Sequence, residues 1–330
     1  MNMSMLTPPP LHLEDGFPLR VYPGQAGASI EAEFAALRAI ADERLEQDGA
    51  VLFSGFATDG ADGFQRFASA FGHPLLNYEF GSTPRTRVTG KGVYTSTEYP
   101  ANRSIPLHNE QAYTQEWPMR IWFYCAKAAV AGGETPIADS REVFRRINPA
   151  LRKRFEDKRL MYVRNYGNGL DLTWQQVFNT EQRSDVEAYC RPRGIRCDWN
   201  EDGDLRTQQI CQGVAQHPRT RDWVWFNQAH LFHLSNLDLE MQEILLDTVG
   251  EEGLPRNVYY GDGSPLEDDA LGEIRSVLDA CEVVFPWQTG DVLMLDNMLT
   301  AHSRKPFSGE RKVVVAMAEG VDGLTLHPHS

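Results

Sequence analysis

The sequence predicts a mainly β fold, a β-sandwich that carries helical insertions, and two observations support this. Dense apolar runs rich in β-formers lie towards both ends of the chain, at 50–56, 121–129, 291–297 and 312–319. Helical patterns are concentrated between the second and third of these runs, roughly over 140–285. Strands at both ends with a helical middle differ from the regular strand–helix alternation of βαβ units, which favours a mixed α+β architecture.

The helices are predicted from apolar residues at steps of three or four. One helix covers 29–47 and is ended by Gly49; its apolar face consists of Ile30, Phe34, Leu37, Ala41 and Leu45. A second covers 62–72, where Phe64, Phe67 and Phe71 share a face. A third begins at Ser264-Pro265, which reads as an N-cap followed by Pro in the first turn.

The predicted strands lie on both sides of the helical region at about 140–285. The run 121–129 is closed by the turn dipeptide Gly132-Gly133, and a polar turn joins 291–297 to 312–319. Residues 1–16 are Pro-rich and polar, as in a tail, and 17–330 then form one domain with a helical insertion at about 140–285. A chain of 330 residues is long enough to bury a large core in one domain.

Composition argues against several classes of partner. With 32 basic and 46 acidic side chains the formal net charge is −14, which repels phosphate backbones and anionic lipids. The N-terminus lacks the basic and apolar regions of a signal peptide, and no apolar stretch is long enough to span a membrane. Five cysteines without a C-x-x-C pair suit a reducing compartment. We therefore expect a cytoplasmic protein that binds neither nucleic acid nor membranes.

A candidate metal site is formed by His108, Glu110 and His302. His108 and Glu110 are two residues apart, so on a strand their side chains would share a face. Two imidazoles and one carboxylate form the facial triad that leaves three positions open on Fe(II). The motif alone is weak, because roughly one H-x-[DE] is expected by chance from 9 His and 46 acidic residues in 330. A second copy is indeed present at His12-Leu13-Glu14.

Arg311 strengthens the assignment. It stands at the mouth of an apolar strand predicted to be buried, where an unpaired charge is costly. A planar guanidinium suits a carboxylate ligand. An ordinary salt bridge to one of the acidic residues explains Arg311 as well, and Arg304 is a nearby competitor.

Three stretches resemble the taurine/2,4-D dioxygenase family of Fe(II)/2-oxoglutarate-dependent oxygenases: PLHNEQAYTQEWPMRIWFYC, GGETPIADS and GDVLMLDNMLTAHSRKPFSGERKVVVA. They are most similar to the branch that contains clavaminate synthase and the SyrP-like hydroxylases of nonribosomal peptide pathways. The resemblance implies a double-stranded β-helix, or jelly roll, with helical insertions. It also implies that His108, Glu110 and His302 bind iron, and that Arg311 and Thr135 bind the distal carboxylate of 2-oxoglutarate.

The resemblance further implies an enzyme that uses Fe(II), 2-oxoglutarate and O₂, releases succinate and CO₂, and hydroxylates an unactivated C–H bond. The substrate would be a small amino-acid-like molecule, free or tethered to a peptidyl carrier protein. Glu110 argues against halogenation, because family halogenases lack this carboxylate. Fe²⁺, Glu110, 2-oxoglutarate and Arg311 together sum to zero charge, which favours their burial. Asn227 and the stretch 94–100 are the predicted substrate contacts.

Three alternatives stay open. The same iron site supports desaturation or cyclisation in place of hydroxylation. Two His and one Glu also form a zinc site, as in a hydrolase, although a hydrolase has no use for a dicarboxylate clamp. A noncatalytic jelly-roll binding module is the third, and it would keep its function without His108 or His302.

Overall fold

The computed structural model describes residues 10–77, 85–89, 92–96, 99–167 and 169–323. Its strands are β1 (His12–Glu14), β2 (Leu19–Tyr22), β3 (Ala50–Phe53), β4 (Val93–Thr95), β5 (Ile105–His108), β6 (Glu116–Lys127), β7 (Ala131–Gly132), β8 (Ile137–Asp139), β9 (Leu160–Tyr166), β10 (Arg196–Trp199), β11 (Leu205–Cys211), β12 (Val214–Gln216), β13 (Trp223–Trp225), β14 (Arg256–Tyr260), β15 (Val292–Asp296), β16 (Thr300–Arg304), β17 (Phe307–Ser308) and β18 (Lys312–Asp322). Its α-helices are α1 (Phe34–Asp48), α2 (Gly60–Ala70), α3 (Ser140–Arg146), α4 (Pro149–Lys158), α5 (Trp174–Phe178), α6 (Arg183–Cys190), α7 (Ala229–Phe232), α8 (Leu239–Val249) and α9 (Asp268–Cys281). Short 3₁₀ helices cover Arg191–Arg193 and Leu234–Asn236.

The largest sheet has seven strands in the order β1-β2-β3-β15-β6-β18-β4. All its pairings are antiparallel except that of β2 with β3. Strands β3 and β15 are buried at every residue, since the core clusters formed by the two faces of the sheet both include their side chains. Burial on both faces explains why these strands appear in the sequence as continuous apolar runs.

Helices α1 and α2 cover one face of this sheet. Leu37, Ala41 and Leu45 are the buried residues of α1, as the spacing predicts. Gly49 ends α1 in the left-handed region (φ +79°), and a Cβ there would lie 2.6 Å from Thr300 Oγ1. The Gly49 carbonyl accepts hydrogen bonds from Asp296 N and Thr300 Oγ1, so the end of α1 holds the β15–β16 connection in place.

A three-stranded sheet, β5-β16-β8, lies beside the large one and carries two of the three predicted metal ligands, His108 and His302. His302 on β16 is in register with His108 on β5 and with Ile137 on β8. Strand β16 lies between the predicted strands 291–297 and 312–319, so the polar turn expected there is wrong. The apolar run predicted only the flanking strands, because β16 is short and polar.

The interval 140–285 is not only helical, which corrects the predicted helical insertion. It contains a four-stranded sheet, β10-β11-β9-β14, and the hairpin β12–β13 among its helices. The predicted tail also contains structure, because β1 pairs with β2 in antiparallel fashion; residues 1–9 lie outside the described part. The third helix begins at Asp268 rather than at Ser264, whose carbonyl instead accepts from Tyr260 N in a turn.

Candidate metal and anion site

His108, Glu110 and His302 come together as predicted. One ligand atom from each lies within 4.8 Å of the others, and this is the one such group of His, Cys, Asp and Glu found among the described residues. Nε2 of His302 is 3.8 Å from Glu110 Oε2, and the two imidazole rings are 4.5 Å apart. Two nitrogens and a carboxylate at these separations are a donor set that suits iron or zinc.

His108 and Glu110 do not lie on one face of a strand, although their spacing predicts it. His108 is the last residue of β5, whereas Glu110 lies beyond the strand in a turn. Asn297 holds this turn: its Oδ1 accepts from Glu110 N at 2.8 Å, and its Nδ2 donates to Glu110 O at 2.9 Å and Pro118 O at 2.8 Å. The Glu110 backbone is therefore fixed by one fully buried amide from the β15–β16 connection.

Two side chains from the stretch 223–233 hold the backbone on both sides of His108. Gln228 donates from Nε2 to Asn109 O at 2.7 Å, and Nε2 of His230 donates to Leu107 O at 2.8 Å. These two carbonyls flank His108 in the sequence. Gln228 and His230 thus support the backbone of residues 107–110, which we call the ligand loop. His230 supports this loop and is not a further ligand.

Both ligand imidazoles are set up to be neutral. Burial is the main cause that lowers the pKa of His108 and, further, that of His302; the positive charge of Arg85 acts in the same direction. Nδ1 of His108 lies 2.8 Å from Pro106 O, which can only accept, so the proton sits on Nδ1 and Nε2 keeps its lone pair. A neutral imidazole with a fixed tautomer is the form that binds a metal.

Asp296, next to Asn297 in the chain, forms a buried polar pair with His217. Nε2 of His217 is 3.1 Å from Asp296 Oδ2, and both side chains are fully buried. Asp296 Oδ1 also accepts from the backbone N–H groups of Met298 and Leu299. This pair fixes the turn that leads into β16 and so into His302.

Arg311 and Thr135 meet at the other end of the site. Arg311 donates from Nε to Gly133 O at 2.8 Å, and its Nη2 is 3.3 Å from Thr135 Oγ1. Trp287 Nε1 donates to the same Thr135 oxygen at 2.9 Å. A Cβ on Gly133 would lie 2.9 Å from Arg311 Cδ, so this glycine leaves room for the arginine stem.

The structure separates Arg311 from its competitor. The Arg304 guanidinium donates hydrogen bonds to three backbone carbonyls, those of Tyr99, Pro100 and Arg103. No salt bridge to Arg311 is found among the described residues, and its contacts are a carbonyl and two hydroxyls. Burial, together with the positive charge of Arg304, lowers the pKa of Arg311 to about 10, which still leaves it charged at neutral pH. Arg311 is the guanidinium that is available to an anion.

The two ends share one cavity. Its lining consists of Arg85, Ser96, Ile105, His108, Phe123, Thr135, His302, Ser303, Arg304, Arg311 and Val313. Ser96 comes from the stretch 94–100, of which residues 97 and 98 lie outside the described part. A larger open cleft in the insertion, next to Trp199 and Arg206, contains none of the predicted site residues.

Asn227 and the second H-x-E copy lie elsewhere. Asn227 is buried away from the cavity lining, where its amide donates to Gly213 O at 2.6 Å and accepts from Ala229 N at 3.0 Å. Its predicted contact with substrate stays a prediction. The second H-x-E copy, His12 to Glu14, lies on the exposed edge strand β1.

Arg85 was missed by the sequence analysis. Its Nη2 lies 2.7 Å from Glu110 Oε2, and both side chains are buried. The segment around it, STPRTR, contains no His, Cys or acidic residue, so its composition offers no sign of this contact. The burial of the pair in the structure reveals it.

Comparison with known proteins gives a consistent result. Residues 15–317 match the profile of the family described as taurine catabolism dioxygenase TauD, TfdA family. The chain is 45% identical over 280 residues to the dapdiamide synthesis protein DdaC of Enterobacter agglomerans, covering 85% of each chain. It is 34% identical over 289 residues to a clavaminate synthase-like protein of Arabidopsis thaliana, covering 84% of each.

Among solved structures, the fold is similar to that of PvcB, described as an Fe, alpha-ketoglutarate dependent oxygenase from an isonitrile synthetic pathway. The TM-score is 0.52 at 16% identity, over 98% of this chain and 97% of PvcB. Within the described residues, no helix combines the length and the apolar character needed to cross a bilayer.

Proposed function

This chain belongs to the taurine catabolism dioxygenase TauD/TfdA family, and from that premise we propose that it is an Fe(II)/2-oxoglutarate-dependent oxygenase that hydroxylates a small amino-acid-like substrate. Bound iron and 2-oxoglutarate would supply the O₂-dependent oxidation, with succinate and CO₂ as co-products, which protein side chains cannot supply alone. The domain arrangement that goes with it is a double-stranded β-helix core over 17–330. The observation that carries the proposal is one cavity that has the two histidines of a His–Glu–His donor set at one end. At the other end it has an arginine without an acidic partner among the described residues.

Each end has a distinct task. His108, Glu110 and His302 would hold the metal, since both imidazoles are buried and have lowered pKa values. Arg311 would bind the distal carboxylate of 2-oxoglutarate, and Thr135, already placed by Trp287, would donate its hydroxyl to the same group. A dicarboxylate clamp beside the donor set favours this reading over a zinc hydrolase.

The amino-acid-like substrate is supported by the relatives rather than by the cavity. DdaC is named for dapdiamide synthesis, and PvcB for an isonitrile synthetic pathway. We extend the small-substrate class of such pathways to this chain, free or bound to a carrier protein. Desaturation would begin at the same site, and product mass distinguishes the two: hydroxylation adds an oxygen atom, whereas desaturation removes two hydrogens.

The test is anaerobic addition of Fe(II) and 2-oxoglutarate, followed by visible absorption of the metal–cosubstrate chelate. We expect a weak charge-transfer band in the wild type, no band in His108→Ala, and a band that needs far more 2-oxoglutarate in Arg311→Ala. A folded, iron-loaded wild type without the band would contradict the proposal. Activity that does not depend on 2-oxoglutarate would instead favour the hydrolase.

A further inference from the structure

Arg85 places a guanidinium at the metal end of the cavity, against Glu110. Its side chain is only 4% exposed, and that of Glu110 only 5%, so their 2.7 Å contact is a buried ion pair. In a buried pair, removing one partner leaves the other charge without compensation, which is strongly destabilising. With no metal, Arg85 therefore supplies the positive charge that the Glu110 carboxylate needs.

The geometry sets this pair against a metal ion. The oxygen to which Arg85 donates, Glu110 Oε2, is also the one that lies 3.8 Å from His302 Nε2. A metal ion held between His302 and Glu110 would approach the oxygen that the guanidinium occupies. A dication also repels a nearby guanidinium twice as strongly as a monovalent cation would at the same distance.

The charge of the whole cavity points to an anion. Its described lining contains Arg85, Arg304 and Arg311 but no Asp or Glu, and Glu110 adjoins it through Arg85. The neutral balance expected from sequence counted Arg311 alone. Before any cosubstrate is bound, the charges of the metal, Arg85 and Arg311 outweigh the single negative charge of Glu110, so the cavity favours a dianion. Arg304 and Arg311 contact backbone carbonyls, whereas Arg85 contacts the Glu110 oxygen that a metal would approach, so Arg85 is the guanidinium that competes with a metal.

We propose that Arg85 exchanges partners: it is the counter-ion of Glu110 until a metal displaces it, and it then binds the anionic cosubstrate in the same cavity. This inference rests on the proposed function. It gives Arg85 two opposite effects on binding. Arg85 weakens binding of the metal alone, and it strengthens binding of 2-oxoglutarate to the metal-loaded protein.

The first experiment uses two titrations on wild type and Arg85→Gln. Mn(II) is titrated into metal-free protein and followed by the EPR signal of free Mn(II); 2-oxoglutarate is then titrated calorimetrically into Mn(II)-saturated protein. For Arg85→Gln we expect the Mn(II) Kd to fall and the 2-oxoglutarate Kd to rise, each on the order of tenfold. Arg85→Lys keeps the charge and should stay near wild type in both.

Arg87→Gln is the matched control, because Arg87 lies two residues away, is exposed, and contacts the Tyr94 ring rather than the metal ligands. It should change neither constant. Shifts of both constants in the same direction in Arg85→Gln, or no shift in either one, overturn the proposal. Wild-type protein that binds no Mn(II) contradicts the proposed function itself, so the two failures are distinguishable.

A measurement on the unaltered protein covers the case in which Arg85→Gln does not fold. Modification of Arg85 by phenylglyoxal is followed by peptide mass spectrometry in three states: metal-free, with Mn(II), and with Mn(II) plus 2-oxoglutarate. We expect slow modification in the first state, faster modification in the second and slow modification again in the third. A rate that Mn(II) leaves unchanged overturns the partner exchange.

Discussion

The metal end and the arginine end of the cavity are built on opposite plans. At the metal end, buried side chains hold the backbone of the ligand loop: Asn297 binds Glu110 through both its N–H and its carbonyl, and Gln228 and His230 hold the carbonyls on either side of His108. At the arginine end, Arg311 has only neutral acceptors, two of them hydroxyls at 3.3–3.4 Å. The backbone at the first end is fixed by buried amide and imidazole groups, whereas the guanidinium at the second end has no ion-pair partner among the described residues. Substitutions at the two ends should therefore affect different binding constants.

The largest expected effect is on the metal ligands themselves. His302→Ala should weaken Fe(II) or Mn(II) binding by more than the roughly 10- to 100-fold that loss of an outer hydrogen-bond partner causes. Anaerobic titration measures this. His12→Ala, in the exposed second H-x-E copy, is the control and should leave the metal Kd unchanged. Equal loss in both variants would mean that the cavity is not the metal site.

Next in size is the loss of the arginine clamp. Arg311→Ala should raise the 2-oxoglutarate Kd on the order of 100-fold, because a charge-assisted contact is lost, while the metal Kd stays the same. Calorimetry on Mn(II)-loaded protein gives both numbers. Arg304→Gln tests the competitor: it should loosen the 99–103 segment and lower thermal stability, with little effect on 2-oxoglutarate. The reverse pattern would reassign the clamp to Arg304.

A smaller effect is expected from the brace of the ligand loop. Asn297→Ala removes three buried hydrogen bonds and should cost about 3 kcal/mol of unfolding free energy. It should also weaken metal binding about tenfold, as loss of an outer partner does.

The matched control is Asn227→Ala, another buried asparagine bonded to backbone groups. It should lower the unfolding free energy but leave the metal Kd alone. If both variants keep wild-type metal affinity, the brace is not needed for the site. A rise in substrate KM for Asn227→Ala, with stability retained, would confirm its predicted substrate contact.

The last expected effect concerns pH rather than a substitution. Burial lowers the pKa of His108, His230 and His302, that of His230 to about 4. In the unfolded chain these groups titrate near about 6.5. As the pH falls below that value, the unfolded chain binds protons that the folded metal-free protein does not, so the unfolding free energy falls by up to about 1.4 kcal/mol per group and pH unit. Urea unfolding at about pH 7.5 and pH 5.5 measures this. Equal stability at both would contradict the lowered pKa values.

The sequence was informative where a residue type and its order in the chain suffice. His108, Glu110, His302, Arg311 and Thr135 lie in short motifs that occur in a set order. The structure places four of them in the lining of one cavity, and it groups Glu110 with the two histidines. Arg85 could not be found this way, because its role depends on a contact with Glu110, which is 25 residues further along the chain. Asn297 stood beside the metal motif but could not be assigned, since its partners Glu110 and Pro118 are distant in the chain.

The sheet inside the insertion was a pattern that sequence analysis could have detected. The β11 run LRTQQIC alternates buried and half-buried residues without exception, which is the period of a strand. The position of Glu110, two residues past the end of β5, could not be detected in the same way. Nothing in LHNEQ shows where the strand ends, because that depends on the pairing of β5 with β16.

The register of His108 with His302 also has a consequence for the life of the chain on the ribosome. The pairing joins β5 to a strand near the C-terminus, so two of the three ligands emerge long before the third. Pairing at such a long separation is slow to form, because a large loop must close first. We therefore expect iron loading after synthesis, because a nascent chain stalled before β16 offers only two of the three ligands.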